Sequence, residues 1–140
     1  MEKQYSSKNH GCFMLMAHFV FVCKYRRPIL HPDLGIDEQM KNIMQEIANE
    51  KNFKIIEQGT DTDHMHLLIS YDPDTSILSL VKLIKQMSTF RIWRQQDNHL
   101  KLEKHLKTEK TFWTDGYFVC SIGESSKDAI EKYIQSQGIK

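Results

Sequence analysis

Hydrophobic spacing along this chain switches repeatedly between a period of two and a helical period, and that order constrains the fold more than composition does. Phe13–Cys23, rich in aromatic and branched residues, reads as a strand that ends at the basic turn Lys24-Tyr25-Arg26-Arg27-Pro28. Ile36, Met40, Ile43, Met44 and Ile47 then recur at helical spacing, with Asp37 as the candidate cap. Phe53–Gln58 reads as a second strand and His64–Ser70, after a polar turn, as a third. Asp74 or Thr75 would cap a second helix, whose apolar stripe is Ile77, Leu80, Val81, Ile84 and Met87, reaching Ile92. Residues 97–111 read as a polar loop or a frayed extension of that helix. Tyr117–Ile122 reads as a fourth strand, Gly123 breaks it, and Ser125 or Ser126 would cap a last helix through Gln137.

The order βαββαβ with a further helix predicts an α+β fold: a ferredoxin-like, four-stranded antiparallel sheet with helices on one face. The first and third strands would then be central. A chain of 140 residues suits one domain, 1–140, made of a sheet-and-helix body (13–122) and a C-terminal helix (125–137). The start of the chain lacks a charged-then-apolar leader pattern, and its longest apolar stretch is interrupted by His18. A membrane partner is therefore not expected, and the expected location is cytoplasmic. Three cysteines form no CxxC pair, which argues against a disulfide framework or a cysteine-held zinc.

Charge is uneven. Residues 82–110 carry eight Lys/Arg against three acids, a net +5, while the rest of the chain is −4. Such a stretch fits a phosphate footprint and a solvated helix face equally well.

In the third strand alternate side chains share a face, so His64, His66 and Leu68 point one way and Met65, Leu67 and Ile69 the other. Two imidazoles so placed can grip one divalent cation, although an HxH in isolation is more often a pair of structural histidines. In the last helix Ala129, Tyr133 and Gln137 fall at i, i+4 spacing, which projects the tyrosine and the glutamine together. That pattern alone also fits a tyrosine covering a core edge.

These segments, taken in order, resemble the single-tyrosine HUH transposases (the TnpA type) of the smallest bacterial and archaeal insertion sequences. The resemblance is carried by the first strand with its Lys24–Pro28 turn, and by Asp63-His64-Met65-His66-Leu67-Leu68-Ile69 with the His-hydrophobe-His signature. It continues through the helix around Leu83–Arg94, the stretch Trp113–Gly123, and Ile130-Glu131-Lys132-Tyr133-Ile134-Gln135-Ser136-Gln137. It spans nearly the whole chain. It implies that His64, His66 and Gln137 are ligands of Mg²⁺ or Mn²⁺ and that Tyr133 is the nucleophile. Neutral ligands would leave the ion its full charge, and imidazoles favour manganese over magnesium. A phenol, with an ordinary pKa of about 10, is a better leaving group than an alkoxide, which suits reversible strand transfer. Asp61 and Asp63 are the nearby candidates in sequence for the base that takes its proton.

The resemblance also implies a partner: single-stranded DNA with a subterminal hairpin. Lys24, Arg26, Arg27, Lys85, Arg91 and Arg94 become candidate phosphate contacts. Trp93, Trp113 and Tyr117 fit packing better than base stacking. Two cleavages per excision call for a homodimer with active sites completed in trans. The competing readings are a host-adopted nuclease acting on repeated hairpins and, in another class, a noncatalytic RRM-like module. The latter wants its aromatic motif on the third strand, where this chain carries histidines.

Overall fold

A computed structural model describes residues 15–95, 98–107, 109–121 and 133–137. The elements are β1 (Leu15–Val22), α1 (Ile36–Lys51), β2 (Lys54–Asp61), β3 (His64–Tyr71), α2 (Ile77–Arg94), α3 (His99–Leu106) and β4 (Phe118–Ser121). The four strands pair antiparallel in the order β2-β3-β1-β4. This is the expected ferredoxin-like arrangement, with β1 and β3 central. Residues 133–136 are helical, whereas the expected cap at Ser125 or Ser126, the break at Gly123 and the helix up to 132 lie outside the described residues.

The two sheet faces follow from alternation. On the inner face Phe19, Phe21, Met65, Leu67 and Ile69 are fully buried against Met40, Met44 and Ile47 of α1 and Ile84 of α2. Each such side chain contributes about 1.5–3 kcal/mol by leaving water, so the period-two pattern of β3 has a strong energetic reason to hold its register. Trp93 and Trp113 belong to this core. Their indole N–H groups donate to the Thr111 carbonyl (2.7 Å) and to Ser88 Oγ (3.0 Å). Cys23 is buried as well, and its thiol is pushed well above the ordinary value by burial and then by the Asp63 carboxylate.

Several local expectations are corrected. Asp37 is not the cap of α1. A short 3-10 turn, Pro32–Leu34, precedes the helix, and Gly35 (φ 76°) occupies the N-cap in the left-handed region. Asp37 sits buried in the first turn, where the helix dipole favours a carboxylate. The cap of α2 is Ser76, whose Oγ accepts from the Ser79 N–H at 3.1 Å, rather than Asp74 or Thr75. Asp72 spends its carboxylate on the Asp74 N–H (2.9 Å), which closes the turn one step earlier. Residues 97–111 are not simply loop. They contain α3, whose Leu102 and Leu106, one turn apart, are buried in the core. Strand β2 runs on to Asp61, beyond the expected Gln58. It is an edge strand, where polar residues are tolerated on the ladder.

Candidate active site on the outer face of the sheet

Register places the outer-face residues. His64 lies opposite Val22 and Asp61, and His66 lies opposite Val20 and Gly59. Val20 in turn pairs with Phe118, and His18 pairs with Leu68 and Cys120. The two β3 imidazoles therefore share the face away from α1 and α2, with ring centroids 6.5 Å apart and planes inclined by 34°. Met65, between them in sequence, is fully buried on the other side and anchors the strand.

His64 is oriented by its neighbour. Its Nδ1 lies 2.9 Å from Asp63 Oδ1, and the other carboxylate oxygen lies 3.3 Å from Arg26 Nε. A carboxylate facing Nδ1 selects the tautomer with its proton there, which leaves the Nε2 lone pair for a cation. His66 is pushed the same way by other means. Burial, and then the nearby His64 and His18, lower its pKa and favour the neutral ring that can ligate. Gly59 makes room for it: a Cβ there would stand 2.8 Å from His66 Nε2. His18 was missed in the sequence reading. Its signal is its phase, since it alternates with Phe19 and Phe21 and so must join the histidine face.

Tyr133 lies on this same face, its ring 5.7 Å from that of Phe118. Its hydroxyl is buried and has no hydrogen-bond partner of good geometry among the described residues; a Cβ on Gly116 would stand 3.3 Å from it. Burial raises the phenol pKa, and the adjacent Thr114 hydroxyl opposes that shift. The loop beneath is braced by Lys85, whose Nζ donates to the carbonyls of Thr114 and Gly116, both at 2.6 Å. Burial pulls this ammonium down to about 8, with Asp115 resisting and Lys24 assisting. Gln137 turns its amide onto Ser136 Oγ (3.0 Å), so the described contacts do not join it to either imidazole. Among the described residues no cluster of three or more His, Cys, Asp or Glu is placed to hold an ion. Any cation would depend on the two imidazoles and on neutral donors brought to them. The oriented His64 and the neutral His66 fit that demand.

The six basic candidates divide. Arg91 is committed to Glu46 (3.3 Å) and Glu50 (2.7 Å), and Lys85 to its two carbonyls, so neither side chain points freely at solvent. Arg26 is taken up by Asp63 and by the Gln135 carbonyl (3.3 Å). Lys24 and Arg27 flank the exposed ring of Tyr25 at 5.5 and 6.0 Å. Arg94 stacks on Phe90, a phenyl left 61% exposed. A cleft of about 950 Å³ opens beside α2, where Lys82, Arg94 and Lys110 outnumber Asp115 and Phe90 and His99 add ring surfaces. Lys82 and Lys110 were visible in the sequence only as part of the basic run.

Known proteins resemble this chain in sequence and in fold. A family model described as "Transposase IS200 like" matches residues 12–137. The ISDra2 transposase TnpA of Deinococcus radiodurans is 28% identical over 125 residues, covering 89% of this chain and 85% of that protein. The transposase for insertion sequence element IS200 of Salmonella typhimurium is 28% identical over 120 residues, covering 86% of this chain and 74% of that one. A solved structure of a candidate transposase from Deinococcus radiodurans R1 superposes with a TM-score of 0.78 at 25% identity, covering 91% of this chain and 94% of that one. A REP-associated tyrosine transposase, solved bound to a REP hairpin, shares the fold at a TM-score of 0.53 and 12% identity, covering 88% of this chain and 64% of that one.

Proposed function

The chain belongs to the IS200-like transposase family, whose members are DNA-cleaving and strand-transferring enzymes, and on that premise we propose a specific chemistry for it. It cleaves and rejoins single-stranded DNA at hairpin-bearing element ends through a 5′-phosphotyrosine on Tyr133, with a divalent cation at His64 and His66. The observation that carries this reading is the pair of imidazoles on one strand face, one oriented by Asp63 and the other held neutral, with the Tyr133 ring on that face.

In the proposed reaction Tyr133 Oη attacks the scissile phosphorus in line. The new bond joins phosphorus to the phenol oxygen, the bond to O3′ breaks, and the phenolic proton is given up as the 3′ oxygen becomes a hydroxyl. A Mg²⁺ or Mn²⁺ ion held by His64, His66 and a third neutral donor such as Gln137 would supply Lewis-acid polarisation of a phosphoryl oxygen. Rejoining runs the other way: a DNA 3′-hydroxyl displaces the phenolate, which leaves readily because of its low basicity. Asp63, bonded to Nδ1 of His64, acts as orienter of that ring rather than as the base.

In its seat over Gly116 the Tyr133 hydroxyl is sealed from water, so reaction requires the segment that carries it to move. Movement toward a partner's histidines satisfies both this requirement and the need for two tyrosines per excision, which supports a homodimer with sites completed in trans. Arg27 and Arg94 are the phosphate contacts best placed for DNA, with Lys82 and Lys110 beside Arg94 in the α2 cleft, whereas Lys24 lies 3.7 Å from the Asp115 carboxylate.

The test is a labelled single-stranded oligonucleotide of the element end, incubated with Mg²⁺ or Mn²⁺. The native chain should yield a nicked product and a covalent 5′ adduct. Tyr133→Phe should yield neither, and His64→Ala should lose both without losing DNA binding. An adduct that persists in Tyr133→Phe would sink the assignment of the nucleophile.

A further inference from the structure

We infer that Arg26 is a positioning residue that ties the orientation of His64 to the docking of the helical segment carrying Tyr133. The inference deepens the proposed function and rests on it for the roles of those two residues. One guanidinium makes both contacts. Its Nε lies 3.3 Å from Asp63 Oδ2, and its Nη1 donates to the Gln135 carbonyl, two residues beyond Tyr133, at 3.3 Å. The second oxygen of the same carboxylate meets His64 Nδ1 at 2.9 Å. A carboxylate engaged at both oxygens is held against rotation, and it holds the imidazole in turn.

The backbone around Arg26 is built for this reach. Tyr25 (φ 58°) and Arg26 (φ 53°) are consecutive non-glycine residues in the left-handed region, which bulky side chains rarely occupy unless their surroundings impose it. The imposing contacts are present. The Arg26 N–H donates to the Cys23 carbonyl (2.7 Å), the Lys24 N–H to the Phe112 carbonyl (2.8 Å), and the Tyr25 hydroxyl to the Glu109 carboxylate (3.3 Å). The Asp63 carbonyl accepts from the Cys23 N–H (2.9 Å), so the turn and the carboxylate it serves are tied through the main chain too. The strained turn thus aims one side chain across the gap between the imidazole and the tyrosine segment. Release of that segment frees the guanidinium, and the hold on Asp63 and His64 changes with it.

The experiment uses the full chain and the variants Arg26→Gln, Arg26→Lys and Asp63→Asn, each checked for a native thermal transition. Two readouts need no metal: the ring ¹⁵N shifts of His64, which report its tautomer, and hydrogen exchange of residues 133–137. A third is Mn²⁺ affinity by calorimetry. Arg26→Gln should shift the His64 tautomer signals, speed exchange at 133–137 about tenfold, and weaken Mn²⁺ about tenfold, within the range for partners of metal ligands. Arg26→Lys keeps the charge but loses the fork, so it should restore part of the His64 signature and little of the exchange protection; it also carries the test should Arg26→Gln fold poorly. Asp63→Asn should disturb His64 while sparing the exchange at 133–137. Native-like exchange, or native-like His64 signals, in both Arg26 variants overturns the inference. Absence of Mn²⁺ binding in the native chain overturns the metal reading of the histidines instead, and the two metal-free readouts then decide the link alone.

Discussion

Asp63 and His64 are adjacent in sequence, yet their side chains meet as partners, Oδ1 to Nδ1 at 2.9 Å, at the point where the β2–β3 turn enters β3. The contact fixes which nitrogen of His64 is presented outward. Asp63→Asn removes the charge while keeping the shape, and an amide can face Nδ1 with either its oxygen or its nitrogen. Mn²⁺ affinity should fall about 10–100-fold, the range for loss of a carboxylate behind a ligating histidine. Strand cleavage should fall in parallel at subsaturating metal and recover in part at high metal. Calorimetric titration beside a cleavage time course checks this, and an unchanged affinity would show that Asp63 is only a turn residue.

Gly59 offers a second handle on the same pair. It faces His66 across the β2–β3 ladder, and a methyl group there would stand 2.8 Å from Nε2. The far end of a side chain can move aside cheaply, so Gly59→Ala should change the thermal midpoint little. The displaced ring, however, is the proposed ligand. Mn²⁺ binding should weaken about tenfold, comparable to loss of a supporting contact, and the effect should vanish when His66 is already alanine. A large fall in stability with unchanged metal binding would contradict the role of the glycine.

Tyr133→Phe separates chemistry from stability. The phenol oxygen is buried without a partner of good geometry among the described residues, so removing it deletes a desolvation penalty rather than an established bond. The variant should lose the covalent adduct completely, yet unfold in urea at the native midpoint or above it. A drop of about 1 kcal/mol, the usual worth of a hydrogen bond, would mean that the Thr114 hydroxyl is a true partner.

The parts of this arrangement legible in the sequence are those set by periodicity and local spacing. The alternation in β3 placed His64 and His66 on one face, and the order of periods gave the sheet topology. What was not legible depends on contacts between distant segments. Nothing near Arg91 in sequence announces that Glu46 and Glu50, on another helix, will claim it, nor does the turn at 24–28 announce that Arg26 reaches Asp63. The caps failed for a related reason. Asp74 is a good capping residue by type, but Ser76 is the one whose hydroxyl meets a free amide in the first turn of α2, that of Ser79. In α3 two buried leucines one turn apart are too few to stand out of a polar stretch.

Lys85 predicts a pH dependence. Its folded pKa, about 8, lies below the 10.5 of a free lysine, so between those values the unfolded chain binds more protons than the folded one. Stability contributed by this group therefore rises with pH across that window and is at its lowest below it. Lys85→Met removes the term. The stability difference, native minus Lys85→Met, should increase from pH 8 to pH 10 in urea titrations. Taking the difference cancels the opposite trend expected from groups raised by burial, such as Tyr133 and Cys23. A difference that stays flat would show that the two carbonyl bonds hold the ammonium at its ordinary basicity.

The basic residues of α2 make the last prediction, because two arginines one turn apart are placed differently. Arg91 is engaged by Glu46 and Glu50, whereas Arg94 lies over the exposed ring of Phe90 at the edge of the cleft shared with Lys82 and Lys110. A phosphate reaching Arg91 would have to displace two carboxylates; one reaching Arg94 meets no ion-paired carboxylate among the described residues. Arg94→Ala should therefore weaken binding of a hairpin-bearing strand and reduce the slope of log affinity against log salt by about 0.7, the value for one single-strand phosphate. Arg91→Ala should leave both nearly unchanged and instead lower the thermal midpoint by loosening α1 from α2. Salt titrations of fluorescence anisotropy on the two variants measure this directly. Equal losses of affinity would place DNA across the α1–α2 face, with the two glutamates yielding to phosphate.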